Sequence, residues 1–396
     1  MIGVVGPMWG KKLVVAAAVL ASAPVQGATL EGSVGLDASV AYDDNFLHQA
    51  DGVATPAGAS REDLTSSTTL SAGAKLDLGR ETLYLDGSAG LLRHLNNSRF
   101  DTEVYSISGG GSWKGDRCGA DVSLSASRSP IELDDVIGVV SGDKSTYGIA
   151  ASGNCAVGAH YSAGLSTDYA IIRTETDSAL VSDGNHLGAK GHFSYTLDPL
   201  SHVGLSVGYQ QWVSDAVEAS QPDQSETRLV DVGISGKYRL GPKLTLSAQA
   251  ALAHVFDALG DDLTTYVADA KLDWQATPKV SVHLGVSRSI SSSVEIASSY
   301  VVSETAQLSA NWTATPDIGV SAWVRYGSQS YSGSDQLDSL SSDFERTLLS
   351  TGVSASYHVN DHVAVKLAYS FKDSNSSLAS GDYAANQVLL GLGLTY

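Results

Sequence analysis

Near the start of this chain, Val34, Leu36, Ala38, Val40 and Tyr42 alternate with Gly35, Asp37, Ser39, Ala41 and Asp43. A period of two puts successive side chains on opposite faces of a β-strand. Burying the Asp/Ser row in a sandwich core is costly, and setting both rows in water wastes the apolar one. A wall with hydrocarbon on one side and water on the other satisfies both rows. The pattern repeats at once: Leu70, Ala72, Ala74, Leu76 and Leu78 interleave with Ser71, Gly73, Lys75 and Asp77. It also ends the chain, where Val388, Leu390, Leu392, Leu394 and Tyr396 form an apolar row against Gln387, Leu389, Gly391, Gly393 and Thr395. A terminal strand with a free edge is an aggregation hazard, and pairing it with the first strand removes the edge.

Punctuation between the alternating stretches sets the strand number. Short turns fall near 79–82, 114–119, 157–160, 197–201, 241–243, 277–279, 315–317 and 360–362. Longer polar segments fall near 45–63, 96–101, 129–143, 173–184, 214–226, 256–262, 291–302, 328–346 and 372–383. Nine loops and eight turns make an all-β, transmembrane, antiparallel up-and-down barrel of about 18 strands. Short turns are expected in the periplasm with both termini, and long loops outside, in the outer membrane of a Gram-negative bacterium. Pro130, Pro222 and Pro56 fall in long segments and Pro199, Pro242, Pro278 and Pro316 in short ones, so none interrupts an expected strand.

Aromatic residues make two bands. Trp113, Tyr195, Tyr238, Trp274, Trp312, Tyr357 and Tyr396 mark the short-turn ends, and Tyr42, Tyr105, Tyr147, Tyr169, Tyr209, Tyr266, Tyr326 and Tyr369 the loop ends. Rings with an apolar body and a polar edge suit the two membrane interfaces.

Residues 1–27 read as an export segment, with Lys11 and Lys12, an apolar run from Leu13 to Leu20, and a cleavage site between Gly27 and Ala28. Residues 28–396 are the expected barrel. Loss of the segment removes two lysines and no acid, moving the net charge from −19 to −21. Such acidity excludes nucleic acid as a partner held through a basic surface. Two cysteines in an exported chain invite a disulfide. Cys118 and Cys155 are expected on adjacent strands at the short-turn rim, and so to be bridged.

Catalytic motifs are weak. Gly204-Leu-Ser-Val-Gly208 has the spacing of a nucleophile elbow but lies inside an alternating strand, where Ser206 faces inward. The ten histidines show no metal-ligand spacing, and Asp257, Asp261 and Asp262 read as solvated loop charge rather than a cation site. No cofactor and no enzymatic activity are expected. The chemistry lies in the inward row: Ser, Gly, Ala and Thr, with Asp37, Lys75, Asp77, Asp86, Asp121, Lys190, Asp231, Lys237, Asp269, Lys271, Asp273, His283, Arg325 and Lys366. Small side chains leave a wide bore, and charges of both signs suit a neutral or weakly charged solute. Trp323 and Trp212 also point inward; an inward indole either offers a sugar ring a flat face or packs against a segment folded into the pore.

The stretch "ASVAYDDNFL" at 38–47, with the hairpins "YTLDPLSHVGLSVGYQQW" at 195–212, "WQATPKVSVHLGVSRSI" at 274–290 and "NWTATPDIGVSAWVRYGSQSY" at 311–331, resembles the outer-membrane β-barrel porins found with exopolysaccharide synthesis and export systems. The resemblance implies a passive conduit for a secreted exopolysaccharide chain, working with a periplasmic polysaccharide-export protein. Outer-membrane lipid and the outer-membrane barrel assembly machinery, which would receive the terminal strand, complete the expected partners. The residues themselves leave two other functions open: a general or substrate-specific diffusion porin for small solutes, and a structural or adhesive barrel acting through its loops.

Overall fold

A computed structural model describes residues 28–55, 57–131, 140–176, 183–215, 224–257, 262–293, 298–332, 344–377 and 381–396. The export segment with Gly27, as well as Pro56, Pro222 and Asp261, lies outside the described residues. Eighteen strands follow one another: β1 (Thr29–Asp43), β2 (Asp63–Asp77), β3 (Glu81–His94), β4 (Thr102–Lys114), β5 (Cys118–Pro130), β6 (Gly142–Ala156), β7 (Tyr161–Thr176), β8 (Gly184–Asp198), β9 (Ser201–Asp215), β10 (Gln224–Arg239), β11 (Leu244–Asp257), β12 (Leu263–Thr277), β13 (Val280–Ser293), β14 (Ser298–Thr313), β15 (Ile318–Ser332), β16 (Phe344–Asn360), β17 (Val363–Ser376) and β18 (Tyr383–Thr395). Each pairs antiparallel with the next, and β18 returns to β1 with Leu36 opposite Leu394 and Tyr42 opposite Val388. The sheet is closed. Among the described residues no helix is long and apolar enough to cross a membrane, and one short 3-10 turn, Ser98–Phe100, is present.

Exposure follows the alternation. Val34, Leu70, Leu124, Leu205, Ile234 and Leu390 are all exposed on the outside although apolar, the reverse of a water-soluble fold. Trp113, Tyr238, Trp274, Trp312 and Tyr357 ring the short-turn rim, while Tyr42, Tyr147, Tyr266 and Tyr326 ring the other; all lie on this exposed face. Turns at the first rim are tight. Gly79 and Gly241 take positive φ there (88° and 78°), a backbone that a side chain would strain. Asp77, at the turn end of the inward row of β2, accepts the Gly79 N–H at 2.7 Å.

Strands run further into the loop rim than the polar composition suggested. The segment 291–302 is mostly strand: β13 reaches Ser293 and β14 begins at Ser298. Pro130 is the last residue of β5, opposite Asp143, and not part of a loop. It is tolerated because a strand end gives up few ladder hydrogen bonds. Cys118 stands opposite Cys155 at the start of β5 and the end of β6, and their sulfurs are bonded.

Candidate functional site

The lumen is built by the inward half of every strand. Asp37, Asp121, Lys237, Arg325 and Lys366 all occupy inward register positions: Asp121 stands between Ser112 and Ser152, Lys237 between His202 and Ser247, Arg325 between Gln307 and Ser350, and Lys366 between Ser356 and Gly391. Two ion pairs lie along the wall: Lys75 Nζ is 3.6 Å from Glu31 and Lys271 Nζ 3.5 Å from Asp269, while His283 Nδ1 is in hydrogen-bond contact with Asp273 at 2.6 Å. Lys190 on β8 donates to Gln249 Oε1 on β11 at 3.3 Å, reaching across two intervening strands. Among the described residues no group of three or more His, Cys, Asp or Glu could hold a metal ion. Ser206 is an inward strand residue opposite His192 and Gly233, with nothing of a nucleophile elbow about it.

Glycines on neighbouring strands decide how far these side chains project. A methyl built at Gly208 would collide with the Asp231 carboxylate, one at Gly188 with Asp168, one at Gly73 with Asp86, and one at Gly352 with the Trp323 indole. Each large side chain therefore lies flat over a neighbour that has no Cβ. Asp231 is 7% exposed as a result.

The loop rim is different, and sequence reasoning missed it. Here the inward row turns apolar: Leu229 of β10 and Ala253 and Val255 of β11 are buried, although a water-filled bore would expose them. The cover is the β13–β14 hairpin. Its Ile290 and Tyr300 join the three in one buried cluster, flanked by Trp212, Leu263, Val267 and Val302. The β12–β13 ladder stops at Ala268–Arg288, leaving Leu263–Val267 without partners on β13. Beyond that point the hairpin leaves the wall and turns inward, bringing β14 against β10, four strands away. Arg288 caps the opened seam. Its guanidinium donates to the Tyr266 carbonyl (2.5 Å) and Thr265 Oγ1 (2.8 Å), pairs with Glu304 (2.9 Å) and sits 4.4 Å from the Tyr266 ring centre. Trp212 thus packs against a segment folded into the pore, and also stacks on His186 at 5.4 Å.

Five strands round the ring from β14, the segment after β1 also folds inward. Asn45 and Leu47 are fully buried. The Asn45 amide donates to the carbonyls of Gln49 (3.0 Å) and Ala384 (2.8 Å). His48 takes a left-handed backbone (φ 51°), costly for a residue with a Cβ, and its ring stacks on Tyr383 at 4.5 Å. Phe46 packs on His94 and Phe100, and His94 is paired with the sealed Asp63 carboxylate at 2.9 Å. A cavity of about 330 Å³ remains beneath, lined by Phe46, His48, Phe100, Ile131, Lys372 and Ala385. The clue in the sequence was Phe46 and Leu47 inside an otherwise polar segment.

An all-antiparallel sheet of 18 strands closed on itself, apolar outside and hydrophilic within, is a transmembrane barrel of the outer-membrane porin type. Residues 182–396, more than half the chain, match the family described as "Putative beta-barrel porin 2". The chain belongs to that family. Among solved structures it is similar to Pseudomonas aeruginosa OccK2 (OpdF), with a TM-score of 0.50 at 13% identity, covering 92% of this chain and 98% of that one. P. aeruginosa OpdK (TM-score 0.49, 12% identity, 92% and 99% covered) and Acinetobacter baumannii OccAB3 (0.47, 12%, 92% and 99%) are similar as well. At such identities the likeness concerns the fold alone. No curated protein matches the chain.

Proposed function

We propose that the protein is a passive channel for small hydrophilic solutes, with its turn rim in the periplasm and its loop rim outside. The observation that carries this reading is the narrowing of a wide hydrophilic bore at one rim, by residues 44–51 from one wall and the β13–β14 hairpin from the other. A bore of about 18 strands encloses water rather than a packed core. Solutes are then sorted by size at the loop rim and only weakly by charge along the wall, where acids and bases are interspersed. In planar bilayers the protein should give small, weakly ion-selective conductance steps, and liposomes carrying it should swell in monosaccharides faster than in oligosaccharides. Absence of conductance, even after removal of the inward hairpin, would overturn the proposal.

The exopolysaccharide conduit is the second reading, and one observation favours it. Trp323 lies flat on the wall over Gly352 and leaves a ring face for a sugar. A deletion strain that keeps small-solute uptake but loses surface polysaccharide would select this reading over the first.

A further inference from the structure

From β1 to β12 the inward acids and bases are interspersed, and beyond β12 they are not. Among the described residues no inward strand position from β13 to β18 carries an acid; Glu304, Glu345 and Asp373 of these strands stand on the outward face. The inward cations of the same strands are Arg325, Arg346, Lys366 and Lys372. Arg325 and Lys366 make no ion pair among the described residues. Lys75 and Lys271, on the mixed part of the wall, each have a carboxylate, at 3.6 and 3.5 Å.

The ladders gather some of these cations around one indole. Trp323 lies over Gly352, in a row that continues through Ser370 of β17 to Gln387 of β18. One inward row nearer the loop rim stand Gln307, Arg325, Ser350 and Lys372, on β14 to β17 in that order. Ser350 is buried between the two cations, whose α-carbons are about 10 Å apart at the ordinary strand spacing. The patch sits just below the point where the β13–β14 hairpin leaves the wall, because Gln307 stands opposite Gly285 and the β12 ladder ends at Arg288. At its other end, Ser370, Lys372 and Gln387 border the cavity of about 330 Å³ beneath residues 44–51. The nearest acid on that side, Asp43, is already engaged by the Asn45 N–H (2.9 Å) and Gln387 Nε2 (3.4 Å).

An indole offers its face to the C–H face of a sugar ring. Amides and hydroxyls bond the ring's own hydroxyls, and a guanidinium takes a carboxylate through two parallel N–H bonds. The inward rows are about 7 Å apart, the reach from a ring stacked on Trp323 to a carboxylate on its edge. We propose that this patch binds a carboxylate-bearing saccharide. The ring lies on Trp323, the carboxylate sits between Arg325 and Lys372, and Gln307, Ser370 and Gln387 bond the hydroxyls. The proposal names the solute class of the channel reading and rests on it only in needing a water-filled bore.

Titration calorimetry of the folded, detergent-solubilised barrel with trigalacturonate tests it. The controls are a neutral galactose trisaccharide, and succinate, which has carboxylates and no ring. Wild-type protein should bind the acidic trisaccharide at least tenfold more tightly than either control. R325Q should lose tenfold or more of that affinity and Trp323→Ala several-fold. K237Q removes an inward cation outside the patch and should bind as wild type does. Folding of every variant is read from its faster gel migration before boiling. Equal affinity for the acidic trisaccharide and either control, undiminished binding by R325Q, or an equal loss in K237Q would overturn the proposal. Salt conductance of the same samples reports separately on the channel reading: a barrel that binds the acidic sugar and never conducts refutes the channel and leaves the site standing.

Discussion

Truncating Tyr300 is the sharpest test of the inward hairpin. Its ring is 7% exposed within the cluster that holds Leu229, Ala253, Val255 and Ile290, in a rim where the alternative surroundings are water. Removing a buried aromatic side chain costs about 3–5 kcal/mol. Tyr300 lies in the part of the hairpin that has left the β12 ladder, so the loss falls on the inward position and not on the barrel below it. At about 1.4 kcal/mol per factor of ten, the balance between inward and released hairpin shifts by roughly two to three and a half powers of ten. Single-channel recording of Tyr300→Ala should show openings to a larger level that are rare in wild-type protein, with unchanged thermal stability of the barrel. A conductance histogram identical to wild type, from protein shown to be folded, would refute the reasoning that this hairpin narrows the pore.

Other perturbations address separate parts of the molecule. Leu390→Arg places a cation on the exposed apolar row of β18 and should destabilise the barrel in lipid by about 2–4 kcal/mol if residue 390 lies near the midplane, read by urea unfolding in bilayers; no loss would mean that this row does not face hydrocarbon. Unreduced tryptic peptides should contain Cys118 joined to Cys155, and recovery of two free thiols would contradict the bond. Trp323→Ala should weaken current block by oligosaccharides several-fold while leaving salt conductance unchanged; an equal block in both proteins removes the indole from sugar contact.

Much of the fold was legible because a barrel wall imposes one rule on every strand. Leu36 and Leu394 had to face lipid together, and they stand opposite each other in the closing ladder. The tight turns at Gly79 and Gly241, and the tyrosines and tryptophans at both rims, follow from local chemistry. What the alternation could not convey is where a strand leaves the wall. Ile290 and Val302 hold outward positions by parity, so they read as lipid-facing or loop residues, yet they pack within the lumen because the seam beside Arg288 opens. The signal was present on the other strands: the inward row of β11 changes from Ser247 and Gln249 to Ala253 and Val255, which makes sense only under a cover. Parity was equally silent on the Asp77 carboxylate, which keeps its place in the inward row while accepting the Gly79 N–H of the adjoining turn.

The flat-lying acids make the electrical character of the bore depend on residues that carry no charge. Adding a single methyl at position 208 or 188 would expel the neighbouring carboxylate toward the axis, leaving the ion inventory of the chain unchanged. Selectivity of the proposed channel would therefore drift through its smallest side chains, and a comparison of relatives restricted to their acids and bases would overlook the cause.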